Sequence, residues 1–168
     1  MHVAIVHDAV READAPDARD AIVQADAVAR ALKDLGHTVC RIACGLNLLA
    51  VATELRSRRV DLVFNLVESI GGQGRLIHLL PFCLDALPLP YSGARAEAML
   101  LTSSKTMAKA WMAGGAIPTP AWVGPWPGTD GRGDEAACGT GSWIVKSVWE
   151  HASIGLGPHS LVRDAGPK

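Results

Sequence analysis

Several features that mark particular protein classes are missing from this sequence. No apolar run reaches the roughly 18 residues that a membrane-spanning helix needs. Neither sign of charge is in excess, since 16 lysines and arginines stand against 17 aspartates and glutamates, for a net charge of −1. A surface built for nucleic acid would require a basic excess. The composition therefore predicts neither a membrane nor a nucleic-acid partner.

Paired cysteines and an export signal are missing as well. The first ten residues, MHVAIVHDAV, lack the basic start and long apolar core of a signal peptide. We therefore expect a cytoplasmic protein. A C-x-x-C spacing is also missing, so neither a zinc site nor a disulfide framework is indicated. The cysteines are Cys40, Cys44, Cys83 and Cys138.

The chain does have the composition of a folded domain. It has 168 residues, of which 49% are hydrophobic and 20% charged, enough for one ordinary domain or for a small domain plus part of another. Residues 1–93 alternate between apolar runs of strand length and amphipathic helical segments, which predicts an α/β fold with a parallel, doubly wound sheet. The expected strands are Val3–Val6, His37–Ala43, Val60–Leu66 and Leu89–Gly93, and the expected helices are Asp20–Gly36, Leu46–Arg58 and Gly74–Leu87, with Pro81 shifting the start of the last or kinking it.

Polar residues and glycines follow two of the predicted strands, where ligands of such sheets bind. His7 follows the first strand, and Glu68, Gly71 and Gly72 follow the third. If the glycines open a helix, their amides could hold a carboxylate or phosphate. They fit a tight turn equally well, and His7 and Glu68 fit ordinary polar loop positions. No G-x-G-x-x-G follows the first strand, which argues against a dinucleotide site.

From residue 94 onward the sequence changes in character. Ser104 is placed to cap a helix that starts at Lys105, and residues 125–141 have the glycine, proline and aspartate content of a surface loop. The predicted elements are the helices Ala94–Leu101 and Lys105–Ala113, an edge strand at Ala121–Val123, and a brief helical turn at 134–137.

The segment Ser142–Gly157 reads as a strand that ends near Lys146, followed by a loop of small residues from Glu150 to Gly155. A cation beside free backbone amides suits a cluster of anionic oxygens such as nucleotide phosphates. Lys105, at a helix start, is a second candidate to meet the same ligand. The alternative is a β-hairpin whose lysines point into water.

The order of these segments resembles the D-alanine–D-alanine ligase branch of the ATP-grasp superfamily. VFNL, GGQG, PYSG, SK, GAIPTP, IVK and EHASIG follow one another in the family's order between residues 60 and 157. The resemblance implies a pre-ATP-grasp, Rossmann-like domain over residues 1–93. Residues 94–168 would form the first, incomplete α+β subdomain of an ATP-grasp fold.

The resemblance also implies roles for individual residues. The family joins a carboxylate to an amine, activating the carboxylate with ATP as an acyl phosphate; its substrates are small molecules, here expected to be amino acids. It does not identify the catalytic residues, which stay unknown. The residues expected to hold the ATP phosphates are Lys105 and Lys146 with the flap residues Glu150, Ala152, Ser153 and Gly155, and those expected near the first substrate are His7, Glu68, Gly71 and Gly72.

The sequence departs from the family pattern at several positions. Ser104 replaces an aspartate, Ser147 a proline, and Glu68 a histidine common in true dipeptide ligases. His151 and Ala152 replace a glycine and a serine of the flap. The expected Gly-Gly-x-Ser-x-Glu run after the first strand is absent. These changes leave nucleotide binding in place but leave open which carboxylate and amine are joined.

The family binds magnesium through a cluster of acidic or asparagine side chains, and no such cluster lies between the flap and Lys168. We therefore expect Mg²⁺ to be held outside this chain, which would be a truncated ligase with an exposed apolar face, weak ATP binding and no catalysis alone. Other possibilities stay open: a non-catalytic α/β module that binds a small ligand or dimerises through its N-terminal domain, and a flavodoxin-like domain.

Overall fold

The computed structural model describes residues 1–9, 16–125, 141–150 and 155–163. These fall into two compact units, Met1–Leu100 and Leu101–Lys168. In the described ranges no helix is long and apolar enough to cross a membrane. The elements are β1 His2–Asp8, α1 Pro16–Asp34, β2 Thr38–Cys44, α2 Leu48–Ser57, β3 Leu62–Leu66, a 3₁₀ turn at Gly74–Leu76, α3 Leu79–Ala86, α4 Ala96–Ser103, α5 Lys105–Gly114, β4 Trp143–Ile144, a second 3₁₀ turn at Pro158–Ser160, and β5 Leu161–Val162.

A parallel sheet forms the centre of the first unit, with strand order β2-β1-β3. β1 pairs in parallel with both neighbours, Val3 standing opposite Val39 on one side and Leu62 on the other. A helix connects each pair of successive strands, which is the kind of crossover that parallel pairing needs. The predicted parallel α/β fold is confirmed.

The sheet is covered on both faces, as the near-continuous apolar strands predict. Side chains alternate along β1, so Ile5 faces one side and packs with Ala25 and Ala29 of α1. Ala4 and Val6 face the other side, where the larger core includes residues of α2 and α3. This alternation is the period of two expected of a strand. Strand β1 therefore links two separate apolar layers.

Two elements differ in extent from their sequence prediction. The predicted helix at 74–87 divides into a 3₁₀ turn and α3, and Pro81 is the third residue of α3. A proline there removes an N–H that has no partner within the helix. The predicted fourth strand is reduced to a single parallel bridge between Tyr91 and Val63.

The second unit contains α5 and a short antiparallel ribbon, β4 paired with β5. The predicted edge strand at Ala121–Val123 is wrong, because residues 117–125 have no regular secondary structure. Pro118, Pro120 and Pro125 have no N–H to donate to a neighbouring strand. The predicted turn at 134–137 lies outside the described residues.

Cys44, at the end of β2, gives a direct test of the larger core. Burial raises the pKa of its thiol from 9.0 to about 12, and the nearby Asp8 carboxylate acts in the same direction. At pH 8 its thiolate population should be roughly a thousandfold below that of an ordinary thiol, so we expect iodoacetamide to label Cys44 only in urea. Peptide mass spectrometry reads the label; rapid labelling of the folded chain would contradict this packing.

The raised pKa of Cys44 also determines how the free energy of unfolding changes with pH. The folded chain holds the Cys44 proton more tightly than the unfolded chain, so this contribution to stability is complete below pH 9. It is lost as the pH rises from about 9 towards 12. Urea unfolding at pH 8 and pH 10 should show the loss, and Cys44→Ala should reduce it.

Candidate functional site

A cleft of about 420 Å³ lies within the second unit. It is bounded by the start of α5, by residues 120–125, and by β4 with the residues that follow it. Three lysines line it, and none of its described lining residues is acidic. These lysines are Lys105, Lys109 and Lys146.

Lys105 is positioned by the cap of its own helix. Ser104 is the N-cap residue of α5, and its hydroxyl accepts a hydrogen bond from the Met107 amide at 3.3 Å. Serine and aspartate both cap helices well. The departure from the family's aspartate therefore keeps the helix start. Because Ser104 is only 1% exposed, the neutral hydroxyl also avoids the cost of burying a charge there.

The segment that follows β4 is bound to the start of α5 by two hydrogen bonds. The Lys105 amide donates to the Val148 carbonyl at 3.0 Å, and Lys105 Nζ donates to the Glu150 carbonyl. The Glu150 amide in turn donates to Ser147 Oγ at 3.2 Å. The contact between Lys105 and Glu150 joins positions that are 45 residues apart in the sequence.

Lys146 lies two residues beyond the end of β4 and is exposed. The preceding residue, Val145, donates its amide to the Ser160 carbonyl at 2.7 Å, which continues the ribbon past its assigned end. Lys105 and Lys146 thus line one cleft, which is the arrangement that their proposed shared ligand requires. That both contact phosphates stays a prediction.

Sequence reasoning missed Lys109. Its Nζ donates to Thr119 Oγ1 at 2.8 Å and to the Pro120 carbonyl at 2.9 Å. The spacing from Lys105 was the available signal, because residues four apart share one face of a helix. Both acceptors are neutral, so the positive charge remains in the cleft.

The other walls of the cleft are largely apolar. Trp122 and Val123 contribute from one side, and Trp143 and Ile144 from β4. Gly124 allows a close approach, since a Cβ at that position would lie 3.0 Å from the Thr106 methyl carbon. Cationic groups beside aromatic and aliphatic walls form a suitable environment for a ligand that is anionic at one end and flat at the other.

The predicted flap is only partly described. Ala152 and Ser153 lie outside the described residues. Gly155 has φ of 75°, in the left-handed region that favours glycine. Glu150 contacts Lys105 through its carbonyl oxygen.

In the first unit, Asp8 joins the carboxyl ends of β1 and β3. Its Oδ1 accepts the amides of Glu68 and Ser69 at 2.9 and 3.3 Å, and its Oδ2 accepts Ser69 Oγ at 2.6 Å. Both carboxylate oxygens are thus engaged by the chain itself. His7 is 8% exposed and its Nδ1 donates to the Asp8 carbonyl at 2.9 Å. Glu68 is exposed.

Gly71 and Gly72 form the centre of a tight turn, as one of the two sequence interpretations predicts. Both have positive φ, 61° and 73°, and Ile70 and Gln73 exchange backbone hydrogen bonds across them. The glycines therefore do not open α3, which starts at Leu79. A side chain at Gly71 would also meet Leu46 at 3.2 Å. Contact between these residues and a substrate stays a prediction.

A metal site needs several ligating side chains close together. In the four described ranges, no three His, Cys, Asp or Glu side chains are grouped so as to hold a metal ion.

Sequence comparison finds relatives among the D-alanine–D-alanine ligases. The chain is 40% identical to the ligase of Moorella thermoacetica over 101 residues, covering 58% of this chain and 31% of that protein. It is 32% identical to the ligase of Methylococcus capsulatus over 133 residues, covering 77% of this chain and 40% of that protein. No protein-family model matches the chain.

Fold comparison leads to the same group of proteins. D-alanine–D-alanine ligase from Bacillus anthracis matches with a TM-score of 0.72 and 19% identity, over 98% of this chain and 50% of that one. A second structure of the Bacillus anthracis ligase, complexed with ATP, matches with a TM-score of 0.68. This chain spans between about a third and about half of the length of these proteins. In sequence and in fold, the chain is a relative of the N-terminal portion of D-alanine–D-alanine ligases.

Proposed function

We propose that this chain is the N-terminal part of an ATP-dependent carboxylate–amine ligase and that its lysine cleft binds the phosphates of ATP. The observation that carries the proposal is the cleft itself: Lys105, Lys109 and Lys146 line it without any acidic residue among its described members. Three cations in one concave site attract a polyanion much more strongly than three scattered surface lysines. The relatives named above support the same choice of ligand.

The charged and the apolar residues of the cleft would bind different parts of ATP. Lys105 and Lys146 would hold phosphate oxygens, where positive charge stabilises the negative charge of a phosphoryl group in transfer. The apolar side, with Trp122 and Ile144, would take the base. When bound, ATP would transfer a phosphoryl group to a carboxylate, giving an acyl phosphate and ADP. An amine would then attack the acyl carbon and displace phosphate to form the amide.

The remaining assignments are part of the same proposal. Residues 1–93 would form the domain that receives the first substrate, a small carboxylate-containing molecule, next to His7 and Glu68. Residues 94–168 would form the first part of the nucleotide-binding domain. Asp8 accepts three hydrogen bonds from Glu68 and Ser69, so it would hold the loop of Glu68 in place.

The test compares ligands that differ in phosphate number. We expect isothermal titration calorimetry to show ATP and inorganic triphosphate binding at least tenfold more tightly than AMP, because each lost phosphate removes charge from the lysines. The affinity should fall as salt is added, since the lysines are at least partly exposed. Equal affinity for ATP and AMP would contradict the proposal.

A further inference from the structure

We propose that Lys109 is a positioning residue that holds one wall of the cleft in place through Thr119 and Pro120. Its two hydrogen bonds, at 2.8 and 2.9 Å, connect the middle of α5 to positions ten and eleven residues later. The class of ligand, a nucleoside polyphosphate, rests on the proposed function. The positioning itself rests on geometry.

The wall is built from a segment without regular secondary structure. Residues 117–125 form neither helix nor strand, and the three prolines among them lack the N–H that a ladder needs. An ammonium group that donates to a hydroxyl and to a carbonyl is therefore a strong fixed point, because hydrogen bonds with a charged partner are about twice as strong as neutral ones.

The position of this wall determines the shape of the cleft. Thr119 and Pro120 lead directly into Ala121–Pro125, all of which line it. At Gly124 the wall already lies close to α5, since a Cβ there would be 3.0 Å from Thr106 Cγ2. A shift of Thr119 away from α5 therefore changes the space between the apolar wall and the lysines.

Two variants separate positioning from a direct charge effect. Lys109→Met removes the tether and the charge together. Thr119→Val keeps the charge and the shape of the side chain but removes one acceptor. Lys33→Met is the matched control, since Lys33 lies in the last turn of α1 in the other unit and is exposed.

The experiment measures ATP affinity by titration calorimetry on the full chain. We expect Lys109→Met to weaken ATP binding about tenfold or more and Thr119→Val about threefold to fivefold, each a loss of the size that one or two hydrogen bonds give. The double variant should lose no more than Lys109→Met, because both changes break one tether. Lys33→Met should bind as the wild type does.

A second readout does not depend on nucleotide. In chains labelled with 5-fluorotryptophan, the ¹⁹F resonance of Trp122, identified by its loss in Trp122→Phe, should shift in both Lys109→Met and Thr119→Val. If the wild type binds no nucleotide while this resonance still shifts, the proposed function fails and the positioning role stands. If Thr119→Val changes neither the resonance nor the affinity, the positioning role is overturned.

Discussion

Replacing Lys105 by methionine is expected to weaken ATP binding about 30-fold or more. The half-buried ammonium of Lys105 is held at the start of α5, and it would exchange the Glu150 carbonyl for a phosphate oxygen. Hydrogen bonds to charged partners contribute about 1.5–3 kcal/mol each, which corresponds to roughly 10- to 150-fold in affinity. Lys146 is exposed, so Lys146→Met should be at the lower end, near tenfold.

The measurement is a calorimetric titration with ATP and, in parallel, with inorganic triphosphate. Triphosphate has no base, so a loss that is equal for both ligands assigns the two lysines to the phosphates. Lys33→Met serves as the control for a general change in net charge. If both cleft variants bind ATP as tightly as the wild type, the phosphate assignment is wrong, and a small-ligand or dimerisation module becomes the better interpretation.

Asp8→Ala is expected to destabilise the first unit by about 2–4 kcal/mol. The change leaves the Glu68 and Ser69 amides and the Ser69 hydroxyl without their acceptor. Each polar group that is left buried without a partner costs about 1–3 kcal/mol. Ser69 is half-buried and Glu68 is exposed. The expected loss of unfolding free energy is therefore smaller than the sum for three buried groups. Loss of this carboxylate should also lower the pKa of Cys44.

Urea unfolding followed by circular dichroism measures this loss. Asp8→Asn, which keeps one acceptor oxygen, should lie between Asp8→Ala and the wild type. Asp34→Ala is the matched control, because Asp34 is an exposed carboxylate at the end of α1. If Asp8→Ala and Asp34→Ala unfold at the same urea concentration, the hydrogen bonds from Glu68 and Ser69 to Asp8 contribute nothing to stability.

The parallel sheet and the start of α5 could be predicted because both depend on local signals. Val3–Val6 is an apolar run of strand length that precedes an amphipathic helix, and Ser104 is a strong capping residue directly before Lys105. The edge strand at Ala121–Val123 was predicted because it directly follows Pro118 and Pro120, and prolines are tolerated next to edge strands. The segment does not form a strand, and its prolines have no N–H to donate to a neighbouring strand.

The contacts that shape the two sites could not be predicted in the same way. Asp8 and Ser69 are 61 residues apart, and Lys105 and Glu150 are 45 apart. No sequence periodicity relates positions so distant, because the fold alone brings them together. The family resemblance identified Lys105 and Lys146, but it had no motif for Lys109, whose partners lie in a segment without regular structure.

We propose that the Lys105 and Lys146 side chains contact the phosphates of one nucleoside triphosphate. An acyl-phosphate derivative of ATP, which transfers its acyl group to lysines next to the bound phosphates, tests this directly when the modified peptides are identified by mass spectrometry. We expect labelling of Lys105 and Lys146 that excess ATP suppresses, with Lys33 labelled only at the background rate. Labelling that excess ATP leaves unchanged, or that spares both cleft lysines, would contradict it.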